Sequence, residues 1–253
     1  MCTATATSFV LAHRLKIIQM KDKPSICTSC SRRKGSIFCE LPSDFLERLE
    51  RQKIIFNCQP GQIIFSEGNP SFLVYHIFSG FVKLSKSGRK GEKLVIRLRG
   101  PGDIFGHRAV LTGEPYTAEA MALVPTTICA IQKEVFLEAI KEYPDFAIKI
   151  MAKLSTDLRA SEEQTMSIAH EEVKQRVARL LLFLVEHNEE FIKRQLVIPN
   201  SLSRSEMAQM IGTTPESFSR TLRLFIERKY IDSTRTEIRI IDPTALRSLY
   251  STV

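Results

Sequence analysis

Two groups of residues in this chain have types and spacings that could do chemistry. The first is Cys27-Thr-Ser-Cys30, followed by Cys39 after eight intervening residues. Two thiolates two residues apart can grip one metal centre, and a third nearby adds to the bite. The intervening segment, 31–38, is basic, holds Gly35 and reads as a loop. Zinc and iron–sulfur ligation share such spacings; a redox disulfide, or cysteines with no ligand role, would give the same pattern. A fourth ligand would have to come from Cys2, Cys58 or Cys129, and spacing does not choose among them. The second group is Glu216, Ser219, Arg220 and Arg223, which share the polar side of one helical stretch. A helix presenting such a face at its N-terminal end, after a tight turn, is suited to a DNA major groove. An ordinary amphipathic helix pair with a solvated face would look alike.

The stretch 202–230 positions that second group. Ser203 caps a first helix, and Glu206 three residues later completes a capping box. Met207, Met210 and Ile211 recur at helical spacing, and Gly212 suits a left-handed residue just past the helix end. Thr214 is a second N-cap with Pro215 at the first helical position. Phe218, Leu222, Phe225 and Ile226 then form the apolar face of the second helix.

Upstream, 41–53 predicts a short amphipathic helix through Phe45, Leu46 and Leu49. From Ile54 the period becomes two. Short strands are expected at 54–56, 62–65, 73–78, 81–84, 93–98, 104–105 and 127–131, parted by Gly and Pro turns. That pattern means a sandwich or barrel. Cys129 falls in the last strand, where a buried structural cysteine is the commoner fate. Ala147, Met151, Leu154, Leu158, Ser161, Thr165 and Ile168 then alternate by four and three, a seam about three heptads long. Such a helix pairs with its own copy or packs on its own chain, and a helix-turn-helix that reads two half-sites favours the copy. Glu162 and Glu163 beside the seam would repel their counterparts and make the pairing adjustable. An apolar helix over 173–187 and short strands near 195–198, Ile231 and 237–241 complete a winged helix-turn-helix. The expected division is an extension over 1–40, a sheet domain over 41–142, the long helix over 143–170 and the winged domain over 171–253.

The 253 residues suffice for two cores, and 43 % hydrophobic with 25 % charged content is that of a soluble globular protein. The net charge of +8 favours a polyanionic partner. The excess is spread: nine Lys/Arg against five Asp/Glu over 191–240, and seven against two over 1–40. The longest apolar runs, such as 180–185, cannot span a bilayer, and no export signal is evident. A cytoplasmic location with no membrane partner is therefore expected. Six cysteines in that setting point to metal or redox chemistry rather than disulfides. His13, His76, His107, His170 and His187 are scattered, without a nucleophile–base arrangement or phosphate loop, so no enzyme is expected.

Taken together, Pro60-Gly61, Gly68, Gly80, Gly102-Asp-Ile-Phe-Gly106, the long helix, 202–212 and Glu216-Ser-Phe-Ser-Arg220 resemble the Crp/Fnr family of bacterial transcription regulators. The resemblance runs from about Cys27 to Asp242 and implies an α+β chain. Its parts would be an N-terminal antiparallel β-roll sensor like a cyclic-nucleotide-binding domain, a dimerisation helix and a C-terminal winged helix-turn-helix. It implies double-stranded DNA, a second copy of the chain and RNA polymerase as partners. Met151, Leu154, Leu158, Glu163, Thr165 and Ile168 would lie at the dimer interface. Within the family the recognition helix is similar to that of the Fnr-like, oxygen-responsive branch. There Glu216, Ser219 and Arg220 would read a TTGAT-type half-site, with Arg223, Arg204 and Thr214 close to the DNA. The chemistry agrees, since a carboxylate accepts from cytosine N4 and an arginine forks onto guanine. The branch also implies a [4Fe–4S] cluster held by Cys27, Cys30, Cys39 and Cys129, although eight residues between Cys30 and Cys39 exceed its usual interval. Where the cyclic-nucleotide branch keeps an acidic residue and an Arg-Ser pair, this chain has His107 and Tyr116-Thr117. Without that arginine a phosphate loses its charged partner, so cyclic AMP is not expected.

Overall fold

The computed structural model describes residues 36–88, 93–186, 197–199, 202–234 and 237–250. Cys2, Cys27, Cys30 and His187 lie outside them. The chain enters through a 3₁₀ turn, Ile37–Glu40, where a loop is expected as far as Phe38. The reason is packing: Phe38 is buried and lies 5.5 Å from the Phe146 ring and 6.1 Å from that of Phe136. Helix α1, Ser43–Gln52, follows, burying Phe45, Leu46 and Leu49.

Eight strands then make two four-stranded antiparallel sheets. Strands β1 (Ile54–Cys58), β8 (Thr126–Gln132), β3 (Leu73–Ser79) and β6 (Ile104–Phe105) form one, in that order. Strands β2 (Ile63–Phe65), β7 (Glu119–Ala122), β4 (Val82–Ser87) and β5 (Lys93–Arg99) form the other. Because side chains alternate along a strand, the first sheet feeds two cores. Tyr75, Ile77 and Ile128 face the roll interior with Val82 and Phe105. Val74, Ile131 and Ile104 belong to an outer core with Phe38, α1 and helix α3, Lys133–Glu142. Strand β7, helix α3 and helix α2 (His107–Thr112) are absent from the sequence expectation. The β7 sequence Glu-Ala-Met-Ala has no β-branched residue; it is a strand because β2 and β4 pair with it, and Ala120 and Ala122 fit a fully buried surface.

Helix α4, Pro144–His170, has 27 residues and so spans about 40 Å. Only its start is buried, through Phe146 and Ile150 in the outer core. Helix α5 (Val173–Glu186), strand β9 (Val197–Pro199), helices α6 (Arg204–Met210) and α7 (Pro215–Glu227), strands β10 (Ile231–Ser233) and β11 (Glu237–Ile240), and helix α8 (Pro243–Ser248) complete the chain. The three strands pair in the order β10-β11-β9, forming the wing of the expected helix-turn-helix. Val177, Leu181, Met207, Phe218, Leu222, Phe225 and Ile238 share its core. Leu123 of the roll joins that core, and Phe81 and Leu98 pack on it, so the two units are in apolar contact.

Candidate nucleic-acid interface

The capping chemistry of the turn is local. The Ser203 Oγ accepts from the Glu206 backbone N–H at 3.1 Å, while the Glu206 carboxylate accepts from the Ser203 N–H at 2.8 Å. Gly212 adopts φ +62° just beyond α6, the left-handed conformation that glycine takes without strain. Thr214 Oγ1 accepts from the Ser217 N–H at 3.2 Å and sets the first turn of α7, with Pro215 next to it. Phe218, Leu222 and Phe225 anchor α7 from beneath. Ile226, expected on that apolar face, is instead exposed.

What remains outward on α7 is polar. Glu216, Arg220 and Arg223 are exposed and Ser219 is half-buried, all on the side away from the core. Thr214 and Arg204 are exposed as well, and Arg204 reaches toward Ser233 Oγ of the wing at 3.4 Å. Arg228 and Lys229, also exposed, extend the positive surface past the end of the helix. Sequence reasoning passes over these two, although their place after α7 is legible. Backbone N–H groups at the α7 N-terminus, its positive dipole end and this row of cations favour a phosphate backbone.

The reading head is tied to the roll and to α4. Lys83 of β4 forms an ion pair with Glu206, the same carboxylate that closes the capping box. Burial alone would raise the Glu206 carboxyl, but the Lys83 and Ser203 hydrogen bonds outweigh it and hold the group below the usual carboxylate range. Gln164 of α4 donates to the Met210 carbonyl at 2.8 Å. A Cβ on Gly212 would lie 3.2 Å from the Ile168 side chain, so the end of α4 rests on the turn. Of the expected dimer residues, Met151, Leu158 and Ile168 are exposed apolar side chains, Leu158 at 62 %. Thr165 and Glu163 are exposed too, and Leu154 is half-buried against the outer core of its own chain. Ile148 and Met166, absent from the expected seam, add to the exposed apolar surface.

Between the roll, α4 and the turn lies a cleft of about 1120 Å³ lined by Arg97, Arg99, His107, Arg108, Ser161 and Gln209. Arg99 Nη1 donates to Asp157 Oδ1 of α4 at 3.0 Å, and Lys153 pairs with Asp103 at 2.6 Å, fixing α4 to the roll. Tyr116 also lines this cleft, but its ring and hydroxyl are engaged within the roll. It stacks on Phe65 at 3.8 Å and donates to the Leu73 carbonyl at 2.7 Å.

His107 is 4 % exposed, and neither ring nitrogen has a hydrogen-bond partner among the described residues. Burial first, then Arg99, pushes its pKa down to about 4, with Lys153 and Arg108 adding to the fall and Asp157 opposing it. The unfolded chain binds a proton near pH 6.5, whereas the folded chain does so only near 4. Stability at neutral pH is therefore lost as pH falls between those values, by about 1.4 kcal/mol per pH unit. Asp157 and Glu206 lie below the ordinary carboxylate range and respond at lower pH. Buried His76 is likewise pushed down to about 4 and adds a like slope, so denaturant unfolding between pH 6.5 and 5 should show both, and His107→Gln should remove about half; parallel curves would refute the assignment.

The cysteines separate by sheet face. Cys58 is buried on the interior side of β1, and burial pushes its thiol up. Cys129 is half-buried on the opposite, outer side of β8, directly across from Ile55 and His76. Cys39 belongs to the 3₁₀ turn over the outer core, and Cys27 and Cys30 lie outside the described residues. Among the described residues no group of three or more His, Cys, Asp or Glu is gathered that could hold a metal ion. No described helix is long and apolar enough to cross a membrane.

Comparison with known proteins finds two family matches along the chain. The family described as cyclic nucleotide-binding domain matches residues 55–143, and that described as Crp-like helix-turn-helix domain matches residues 175–249. The chain is 28 % identical to the global nitrogen regulator of Synechocystis sp., over 87 % of this chain and 93 % of that protein. It is 30 % identical to the cyclic AMP receptor protein of Thermus thermophilus, over 66 % of this chain and 74 % of that protein. Among solved structures, FixK2 from Bradyrhizobium japonicum aligns with a TM-score of 0.67 at 22 % identity, covering 79 % of this chain and 98 % of that one. That last likeness concerns the fold alone.

Proposed function

This chain belongs to the Crp/Fnr family of DNA-binding transcription regulators, and on that premise we propose that it is a homodimer reading a TTGAT-like palindrome under the control of an oxygen- or redox-labile [4Fe–4S] centre. The observation that carries the DNA half is the outward face of α7: Glu216, Ser219 and Arg220 stand clear of a core held by Phe218, Leu222 and Phe225. Arg220 would fork onto guanine and Glu216 accept from cytosine, while Arg204 and Arg223 meet phosphate. RNA polymerase is the partner such a bound dimer would meet.

The centre would be held by Cys27, Cys30, Cys39 and Cys129. Support for Cys129 over Cys58 comes from the faces they occupy: Cys129 shares the outer core's side with the turn that carries Cys39, whereas Cys58 looks into the roll. A bound cluster supplies an oxygen-sensitive linkage between the extension and the roll. The outer core also holds Phe146 and Ile150, the buried start of α4. Repacking there acts on the helix that carries the seam, and two half-sites held by one dimer raise local concentration steeply. Cyclic AMP is not the expected ligand.

Anaerobic isolation tests the metal half. The expected product is brown, contains iron and acid-labile sulfide, and bleaches in air. Cys129→Ala should lose the colour and the specific DNA affinity together. A colourless protein, or a Cys129→Ala variant that keeps cluster and affinity, would overturn this half and leave the DNA-binding half standing.

A further inference from the structure

From the outer face of the first sheet we infer that His76 is itself a ligand of the metal centre, so that the donor set mixes thiolate with imidazole. This rests on the proposed metal centre and revises its donor set: His76 stands beside Cys129 in place of one of the three N-terminal thiols. Four residues form one cross-strand row on that face: Ile104 of β6, His76 of β3, Cys129 of β8 and Ile55 of β1. Directly opposed residues of an antiparallel pair have Cβ atoms about 4.5–5.5 Å apart and project to the same side. The imidazole and the Cys129 thiol are therefore neighbours on one face, although the sequence holds them far apart.

The 3₁₀ turn covers that spot. Phe38 meets the His76 ring edge-on, with centroids 6.3 Å apart, and Cys39 is the next residue. Ser36 and Phe38 are both buried, which holds this turn, and the backbone at Cys39 with it, beside that face. The roll thus brings one thiol, one imidazole and the turn bearing a second thiol to a single place.

His76 is also poorly explained as packing. It is 5 % exposed, and its Nε2 has no hydrogen-bond partner among the described residues. Such a buried atom has given up its hydration with no bond in return, a cost an apolar side chain of similar size would avoid. A metal bond removes that cost, and imidazole serves zinc and iron alike, including iron–sulfur centres in which histidine replaces cysteine.

The test is a Co²⁺ titration of the full-length, reduced, metal-free protein. Thiolate-to-metal charge transfer reports sulfur ligation, and the visible bands report its mixture with nitrogen. The parent should give a mixed nitrogen–sulfur spectrum. His76→Phe, which keeps a ring against Phe38, should move those bands and weaken Co²⁺ by about tenfold or more, the scale seen even for outer-shell changes. His76→Cys should restore affinity with a more sulfur-rich spectrum. A folded His76→Phe protein with the parent's affinity and spectrum overturns the inference. If Cys129→Ser alone loses the signal, the cysteine centre stands without His76. A parent with no thiolate charge transfer removes both.

Discussion

Replacing Arg220 by alanine should abolish most of the discrimination between a TTGAT-type palindrome and scrambled DNA. Arg220 is exposed on α7, and no described side chain depends on it for burial or capping, so the fold should be indifferent to the change. A bidentate arginine–guanine contact carries about 1–3 kcal/mol of discrimination. Two half-sites double it to about 2–6 kcal/mol on the full palindrome. Competition between the two duplexes at one fixed salt concentration reads this directly. Arg223→Ala is the contrasting case. As a phosphate contact in each half-site it should weaken both duplexes alike and lower the salt slope by about two. Equal losses on both duplexes for Arg220→Ala would sink the base-reading role.

Leu158→Asp should convert the dimer to monomers and remove tight palindrome binding with it. Leu158 is 62 % exposed midway along α4 among the described residues. Burying a leucine side chain contributes about 1.5–3 kcal/mol, and the twofold axis counts it twice. The substitution also places two carboxylates near one another across the dyad, beside Glu162 and Glu163. Together these should raise the dimer dissociation constant by about a thousandfold or more. Sedimentation velocity measures it, with the monomer's thermal unfolding as the check that the fold survives. An unchanged dimer would show that α4 pairs through some other face.

The helix-turn-helix was readable because its determinants are neighbours in sequence. Ser203 with Glu206, Gly212, and Thr214 with Pro215 each fix one helix end by hydrogen bonds or backbone preference a few residues long. The roll was readable as many short strands, but not strand by strand. β7 owes its extended form to partners on both sides, and α2 is too short for a periodic signal. The coupling of the units was illegible altogether. Lys83 with Glu206, Gln164 with Met210, and His76 beside Cys129 each join positions that only the completed fold brings together. Ile226 shows the limit of periodicity itself: at about 100° per residue it falls at the margin of the stripe formed by Phe218, Leu222 and Phe225, and it is exposed while Phe225 beside it is buried.

Gly212 serves two constraints at one atom. Its φ of +62° disfavours most side chains on backbone grounds, and a methyl group there would stand only 3.2 Å from Ile168. The tip of the long helix therefore lies close against the turn of the reading head. If the paired helices slide or rotate by even part of a turn, Ile168 leaves its seat, and the start of α7 is released from the bearing surface that aims it.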